Sequence, residues 1–375
     1  MEKLSFMDSK VYFQADALTE FCREVFIRHG MTADDAGITA DVLVTADMRG
    51  IPSHGIGRLQ RYVNGLKTGQ MKANAETEII RDTPVSTVIN ANGTMGPPVS
   101  VKAMESVIEK ARNNGASFAC VYESNHFGIA GYYAMMALKH DMIGIAMTNT
   151  AALGVPTFGR QVMFGTNPLA FCAPAEKEGA FVLDMSTTVV SRGKIEVYDR
   201  EGKALPHNWA VDKTGKSATD AGKILDDMFH RYGGGILPLG GLGEMFGGYK
   251  GYGLAVMVDI LCSVLCGAPF GSQISDTATS SARVSHFFGA IKIDNFRNAG
   301  EFRGDMDKML SQLRNTPAAE GEEQVYFAGQ KEMEHEKSAR KNGIPLSPST
   351  INNLGKIAGE LQIEFPASVN KNKGE

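Results

Sequence analysis

Disulfide chemistry has little to work with in this chain. Its five cysteines (Cys22, Cys120, Cys172, Cys262 and Cys266) are an odd number without framework spacing, and they read as reduced core residues. Cys262 and Cys266 stand four apart with no histidine or carboxylate at ligand spacing beside them, so no metal site is expected. Charge of one sign is also lacking: a formal balance of -4 gives no electrostatic reason to bind nucleic acid. The longest apolar run, residues 253–264, is interrupted by Asp259 and reads as too short for a membrane span. Met1, Glu2, Lys3, Leu4 and Ser5 form no signal-peptide pattern, so a soluble cytoplasmic protein is the expectation. A Gly-x-Gly-x-x-Gly between strand and helix, with an acid about 20 residues on, is missing, which excludes a Rossmann dinucleotide site. A Walker-type loop, a Gly-x-Ser-x-Gly elbow and internal repeats are missing too.

What is present is glycine, 42 residues of 375, in a chain of ordinary globular composition long enough for two or three domains. The most informative stretch is Ile51-Pro52-Ser53-His54-Gly55-Ile56-Gly57-Arg58 and its continuation to Tyr62. Pro52 stops the preceding element and Ser53 is a suitable N-cap for a helix running toward Leu66. On that helix His54, Arg58 and Tyr62 project from one face, and the dipole at its start disfavours the imidazolium. A base near neutrality beside a guanidinium suits a small carboxylate whose oxygen gains or loses a proton.

In chain order, residues 16–29 carry a helical apolar stripe ended by Gly30, and Thr32 opens a second helix ended by Gly50. Two short strands follow at 78–81 and 86–90, then an amphipathic helix over 97–113. Strands are predicted at 117–122, 143–147, 169–173, 181–183 and 287–295, with a helix up to His140. Residues 196–213 read as strand and loop, around Pro206 and Trp209. Ten glycines fall within residues 233–253, a candidate cofactor loop, and lead into an apolar helix over 251–265 that should be buried on most sides. Helices are predicted over 301–313 and 329–342, then one capped by Ser349 and running to Leu361, with a frayed tail after Phe365.

Six motifs occur in order: Ser53-His54-Gly55 with Arg58 and Tyr62; Asn125-His126-Phe127-Gly128; Phe164-Gly165-Thr166-Asn167-Pro168; Asp184-Met185-Ser186-Thr187; Trp209-Ala210-Val211-Asp212; and Lys250-Gly251-Tyr252-Gly253. Together they resemble the malate/L-lactate dehydrogenase family, which is distinct from the better-known lactate and malate dehydrogenases. Ureidoglycolate, sulfolactate, diketogulonate and piperideine-2-carboxylate enzymes are its relatives. The resemblance spans residues 16–361. It implies an α/β (α+β) protein with a non-Rossmann nicotinamide-binding fold. A helical part, 1–75, would pack with C-terminal helices of 300–375, around a mostly antiparallel or mixed sheet region, 76–299. It also implies a homodimer using NAD or NADP on a small 2-keto or 2-hydroxy acid.

By the same resemblance, His54 transfers the proton with Ser53 orienting it, Arg58 holds the substrate carboxylate, and His126 is a second candidate proton acceptor. Thr166 matches a substrate contact. Cofactor contacts match His126, Phe127, Gly128, Ile129 and Ala130, then Thr150, then Asp184, Met185 and Ser186, then Lys250. The chemistry of these types agrees: an aspartate accepts from ribose or amide, hydroxyls of Ser186 and Thr187 donate to phosphate, and Lys250 among glycines neutralises it. Where the cyclic-imine reductases carry an aspartate, this chain has Lys194, which favours malate- or ureidoglycolate-like members. A Ser53/His54 hydrolase and a non-catalytic binding protein are the competing classes. The hydrolase is disfavoured because neighbouring residues need not meet and no nucleophile elbow is present. Tyr62 is a supporting candidate beside the site.

Overall fold

In the computed structural model, which describes residues 10–277 and 280–369, strand β1 (Val11–Phe13) is followed by helices α1 (Ala15–Arg28), α2 (Ala33–Met48) and α3 (Leu59–Lys67). The stripe of α1 is buried through Leu18, Phe21, Cys22, Val25 and Phe26, and Gly30 reverses the chain at φ +90°. Thr32 caps α2, its hydroxyl accepting from the Asp35 N–H at 3.2 Å. The helix expected to start at Ser53 starts later. Residues 52–54 form a turn, a 3-10 turn spans Ile56–Arg58, and α3 follows.

The middle of the chain builds β2 (Glu78–Asp82), β3 (Ser86–Asn90), α4 (Gly96–Asn114), β4 (Ala116–Ser124), α5 (Ala130–Met136), β5 (Met142–Thr148), β6 (Leu169–Ala173) and β7 (Phe181–Met185). Next come α6 (Arg192–Arg200), β8 (Ala210–Val211), α7 (Ala221–His230), β9 (Gly235–Ile236), α8 (Gly248–Cys262) and β10 (Val284–Lys292). The chain closes with α9 (Ala299–Arg314), α10 (Gln330–Asn342), β11 (Ile344–Leu346) and α11 (Pro348–Leu361).

One seven-stranded mixed sheet runs β2-β3-β4-β10-β5-β6-β7, antiparallel except for the β3–β4 pair that α4 connects. Alternation along the strands supplies two buried faces. Phe288 and Ala290 of β10 join Val121, Ala146, Met104 and Val107 under α4 and α5. Phe287, one residue out of phase, joins Cys120 and Met147 under Val258 and Cys262 of α8. A second core unites α1, α2 and α3 with Phe13, Ile344, Leu346, Leu354 and Ile357. Helix α9 packs through Met306 and Leu310 on the β6 side of the sheet, beside Ala173.

Several local expectations change. Residues 192–200 are helix, not strand, because the Ser191 hydroxyl accepts from the Lys194 N–H and Ile195 is buried. With α7, β8 and β9 this helix forms a small satellite core around Ile195, Leu205, Ala210, Ile224 and Ile236. The last helix is capped by Ser347, which accepts from the Thr350 N–H, and not by Ser349. The tail is tied down as far as residue 369: the Phe365 ring meets Phe13 and Phe21 edge-on, and the Val369 N–H donates to the Tyr12 carbonyl at 2.7 Å. Residues 1–5 and the last of the tail lie outside the described residues.

Helix α8 departs most. It was expected to be buried on most sides, but only its inner face is, through Ala255, Val258, Asp259 and Cys262. Tyr249, Val256 and Ile260 are exposed, as are Met245 and Phe246 just before it, at 89% and 68%. With the 3-10 turn that follows, the rod spans Gly248–Cys266, 19 residues, which by length and composition alone could cross a membrane. Its inner face is instead bonded to the protein: Asp259 accepts from the Asn149 amide at 3.1 Å, and the Ala255 carbonyl accepts from Asn167 at 2.9 Å.

Candidate active site

The turn after α2 is fixed by a carboxylate. Asp47, on α2, accepts from the Ile56 N–H at 2.6 Å and so caps the 3-10 turn, the role expected of Ser53. Gly55 makes room for it: a Cβ there would sit 2.2 Å from the carboxylate. Burial pushes the Asp47 carboxyl up to about 7, against the Ile56 hydrogen bond that favours its anion. Freed from capping, Ser53 places its hydroxyl 2.9 Å from Nδ1 of His54, so these neighbours do meet. Arg58 folds back and donates from Nε to the Ser53 carbonyl at 2.6 Å.

The loop after β4 brings His126 to the same place, 72 residues on in sequence (126 − 54). The two imidazoles stack with centroids 5.4 Å apart and planes 20° apart. Tyr62, fully buried on α3, sets its hydroxyl 2.6 Å from Nδ1 of His126 and 3.2 Å from the His126 carbonyl. Burial, helped by Arg58, lowers His54 to about 4. Burial, with His54 and two arginines nearby, holds His126 well below its usual value. Both are therefore neutral near pH 7. Burial also holds the Arg58 guanidinium below its ordinary value, and Glu196 and Arg192 of α6 both act on it electrostatically. Lys194, on that helix, is exposed.

In the run from His126 to Ala130, His126 is half-buried and the other four are buried. The Phe127 ring is sandwiched between His286, at 4.4 Å and 4°, and Tyr133, at 4.8 Å, so it serves the core. Gly131 donates its N–H to Asp184 at 2.7 Å, which seats that carboxylate at the start of α5. Burial raises Asp184 to about 6. Ile129, Gly131 and Asp184 line a cavity of about 240 Å³ with Arg49, Tyr326 and Lys331. One Arg49 nitrogen, Nη2, is buried without a hydrogen-bond partner, while Nη1 holds Glu336 at 3.2 Å. Sequence reasoning missed Arg49 and Lys331; the first stands next to the Gly50 that ends α2 and reads as a C-terminal cap residue. A larger depression, about 360 Å³ between Asp35, Asn74, Glu76 and Lys102, contains none of the predicted site residues.

Thr166 and Thr150 are stitched together, Thr166 N–H to Thr150 Oγ1 at 3.0 Å, and Thr187 donates from both N and Oγ1 to the Thr166 carbonyl. Ser186 donates to the Thr188 carbonyl at 3.2 Å, and Met185 ends β7. The glycine-rich loop reaches this cluster when Leu239 N–H donates to the Thr187 carbonyl at 2.8 Å. Lys250, in the first turn of α8, is exposed and has no direct bond to the other predicted residues among those described.

A sequence profile of malate/L-lactate dehydrogenases matches residues 13–355. The chain belongs to the malate/L-lactate dehydrogenase family. It is thereby a 2-hydroxyacid dehydrogenase. It is 40% identical over 357 residues to the malate dehydrogenase of Pyrococcus abyssi, covering 95% of this chain and 97% of that one. It is 38% identical to the L-sulfolactate dehydrogenase of Methanocaldococcus jannaschii, over 91% of this chain and 95% of that one. In three dimensions it superposes on the malate dehydrogenase of Entamoeba histolytica with a TM-score of 0.92 at 33% identity, covering 96% and 100% of the two chains. The mixed sheet is the non-Rossmann fold that the family resemblance implied. Membership in the family also removes the hydrolase reading, even though Ser53 and His54 touch.

Proposed function

We propose that this family member interconverts a malate-like 2-hydroxy acid and its 2-keto acid, with His54 in proton transfer, Ser53 orienting it and Arg58 on the substrate carboxylate. The observation that carries the reading is the nest itself: two neutral, stacked imidazoles beside a guanidinium whose charge is only partly met. A carboxylate bound to Arg58 would cancel the charge that helps hold His54 down, so substrate binding would bring its basicity toward neutrality. Thr166 would bind the substrate, and ureidoglycolate and cyclic imines are the competing substrates.

A nicotinamide dinucleotide, NAD or NADP, would supply the hydride acceptor or donor. The residues present fit such a polyanion: Arg49, which has one buried nitrogen without a partner, and Lys331 line the cavity together with Ile129, Gly131 and Asp184. The loop from His126 through Ala130, with Thr150, Met185, Ser186 and Lys250, would complete the contacts. The exposed apolar surface formed by Met245, Phe246, Tyr249, Val256 and Ile260 supports a second copy of the chain as its cover, giving a homodimer; light scattering after gel filtration would check the mass.

The test is loss of reduced-nicotinamide absorbance with a panel of 2-keto acids, offering NADH and NADPH separately. Oxaloacetate is expected to be reduced. Arg58→Lys should raise KM roughly 10- to 100-fold with a smaller change in kcat, because a bidentate fork becomes a point charge. Turnover of a cyclic imine alone would overturn the malate-like reading.

A further inference from the structure

One nitrogen of His126 has both a backbone N–H and a hydroxyl at hydrogen-bond distance, the hydroxyl also reaching the His126 carbonyl at 3.2 Å. The Tyr62 hydroxyl lies 2.6 Å from Nδ1, and the Gly128 backbone N–H points to the same atom at 3.4 Å. A backbone N–H can only donate, so Nδ1 must present its lone pair. In a neutral imidazole the proton then resides on Nε2, where no hydrogen bond from another described residue ends. The alternative tautomer would set the Nδ1 hydrogen against the Gly128 hydrogen. An imidazolium would do the same, and would lie beside His54, Arg58 and Arg61. Tyr62 is suited to the donor role because burial holds its phenol protonated, well above the usual range.

We propose that Tyr62, with the Gly128 N–H, locks His126 as the Nε2–H tautomer, so that His126 donates a hydrogen bond to the substrate oxygen and leaves proton transfer to His54. This rests on the dehydrogenase reading given above. In the oxidation direction the hydroxyl proton passes to Nε2 of His54, whose Nδ1 is occupied by Ser53. A bound oxidised nicotinamide would supply the acceptor for the hydrogen on the same carbon and its electron pair, so that the C–O bond would become a carbonyl. His126 keeps its proton throughout and steadies the oxygen as charge builds on it. Tyr62 is thus a positioning residue, and the two histidines have different tasks.

The tautomer can be read without turnover. Protein labelled with ¹⁵N-histidine, compared with a His126→Gln sample for assignment, should show His126 protonated on Nε2 in long-range ¹H–¹⁵N correlation spectra. A proton on Nδ1, or on both nitrogens, in the wild type at pH 7 overturns the proposal. Tyr62→Phe keeps the ring and removes the hydroxyl; its His126 signal should move toward a tautomer mixture. Its kcat should fall about tenfold with KM within about twofold, the signature of support lost in the transition state. An unchanged tautomer together with unchanged kcat in Tyr62→Phe also overturns the assignment to Tyr62. If no 2-keto acid is turned over, the dehydrogenase chemistry fails, whereas the spectra judge the tautomer lock independently.

Discussion

His286 and His126 lie close to Phe127, the first stacked on its ring and the second next to it in sequence, and they differ in what remains unspent. His286, on β10, is fully buried, stacked flat on Phe127, with Nδ1 at 2.8 Å from Thr148 Oγ1 and Nε2 at 2.8 Å from Ser124 Oγ. Burial lowers it to about 3. His126 and His54 are also depressed, yet each is half-buried and has one ring nitrogen engaged. Depressed basicity alone therefore does not mark a reacting histidine. What separates the pair from His286 is an uncommitted nitrogen on a ring that solvent or substrate can reach.

Mutating each kind of histidine would break or sharpen that contrast. The largest effect is expected from His54→Ala: kcat/KM should fall roughly 10²- to 10⁴-fold, the usual worth of a general acid–base group, with little change in melting temperature. Activity within threefold of wild type would remove His54 from the chemistry. His286→Ala should do the reverse, costing about 2–4 kcal/mol of stability by urea titration, because it leaves a cavity and takes the ring partner from the buried Ser124 hydroxyl. Turnover per folded molecule should change only a few-fold. The buried histidines also contribute stability that acidification removes. An unfolded histidine binds a proton below about 6.5, whereas His286 in the folded chain resists to about 3 and His54 to about 4. That contribution declines from pH 6.5 downward, by about 2 kcal/mol per such histidine at pH 5, while the raised carboxyls of Asp47 and Asp184 act in the opposite direction. The stability gap between wild type and His286→Ala isolates it: the gap should narrow from pH 7 to pH 5, and a gap independent of pH would contradict this.

The smallest effect is expected at Asp47. Its carboxyl is raised when folded, so its contribution to stability is present below 3.8 and lost as pH rises through about 7. Asp47→Asn retains an acceptor for the Ile56 N–H and removes the cost of a buried charge. At pH 8 it should be within about 1 kcal/mol of wild type or slightly more stable, with the advantage shrinking at pH 5. A large loss at both pH values would mean that the anion itself is required.

Much of the fold was legible because local and global signals agree. The stripe of α1, the Thr32 cap and the alternating strands each need only a short window. His54 and Arg58 were legible because they lie within one turn of chain. Contacts between distant segments were not. Tyr62 meets a histidine 64 residues away. The cap at Ile56 comes from the preceding helix, which no N-cap pattern encodes. Burial of Ile195 against the satellite core makes residues 192–200 helical where Gly193 and polar neighbours argue against it. The same limit applies to α8, since an apolar sequence does not say whether its own chain or another surface covers it.

The Asp47 carboxylate occupying the space of a missing side chain at Gly55 also has a bearing on the chain's history. Neither position is free to drift alone. An alanine at 55 could be accommodated only after residue 47 had shortened or swung away, and the vacated Ile56 N–H would then need another acceptor. Across an alignment of relatives, positions 47 and 55 should therefore covary, a mark of this turn's geometry readable from sequence alone.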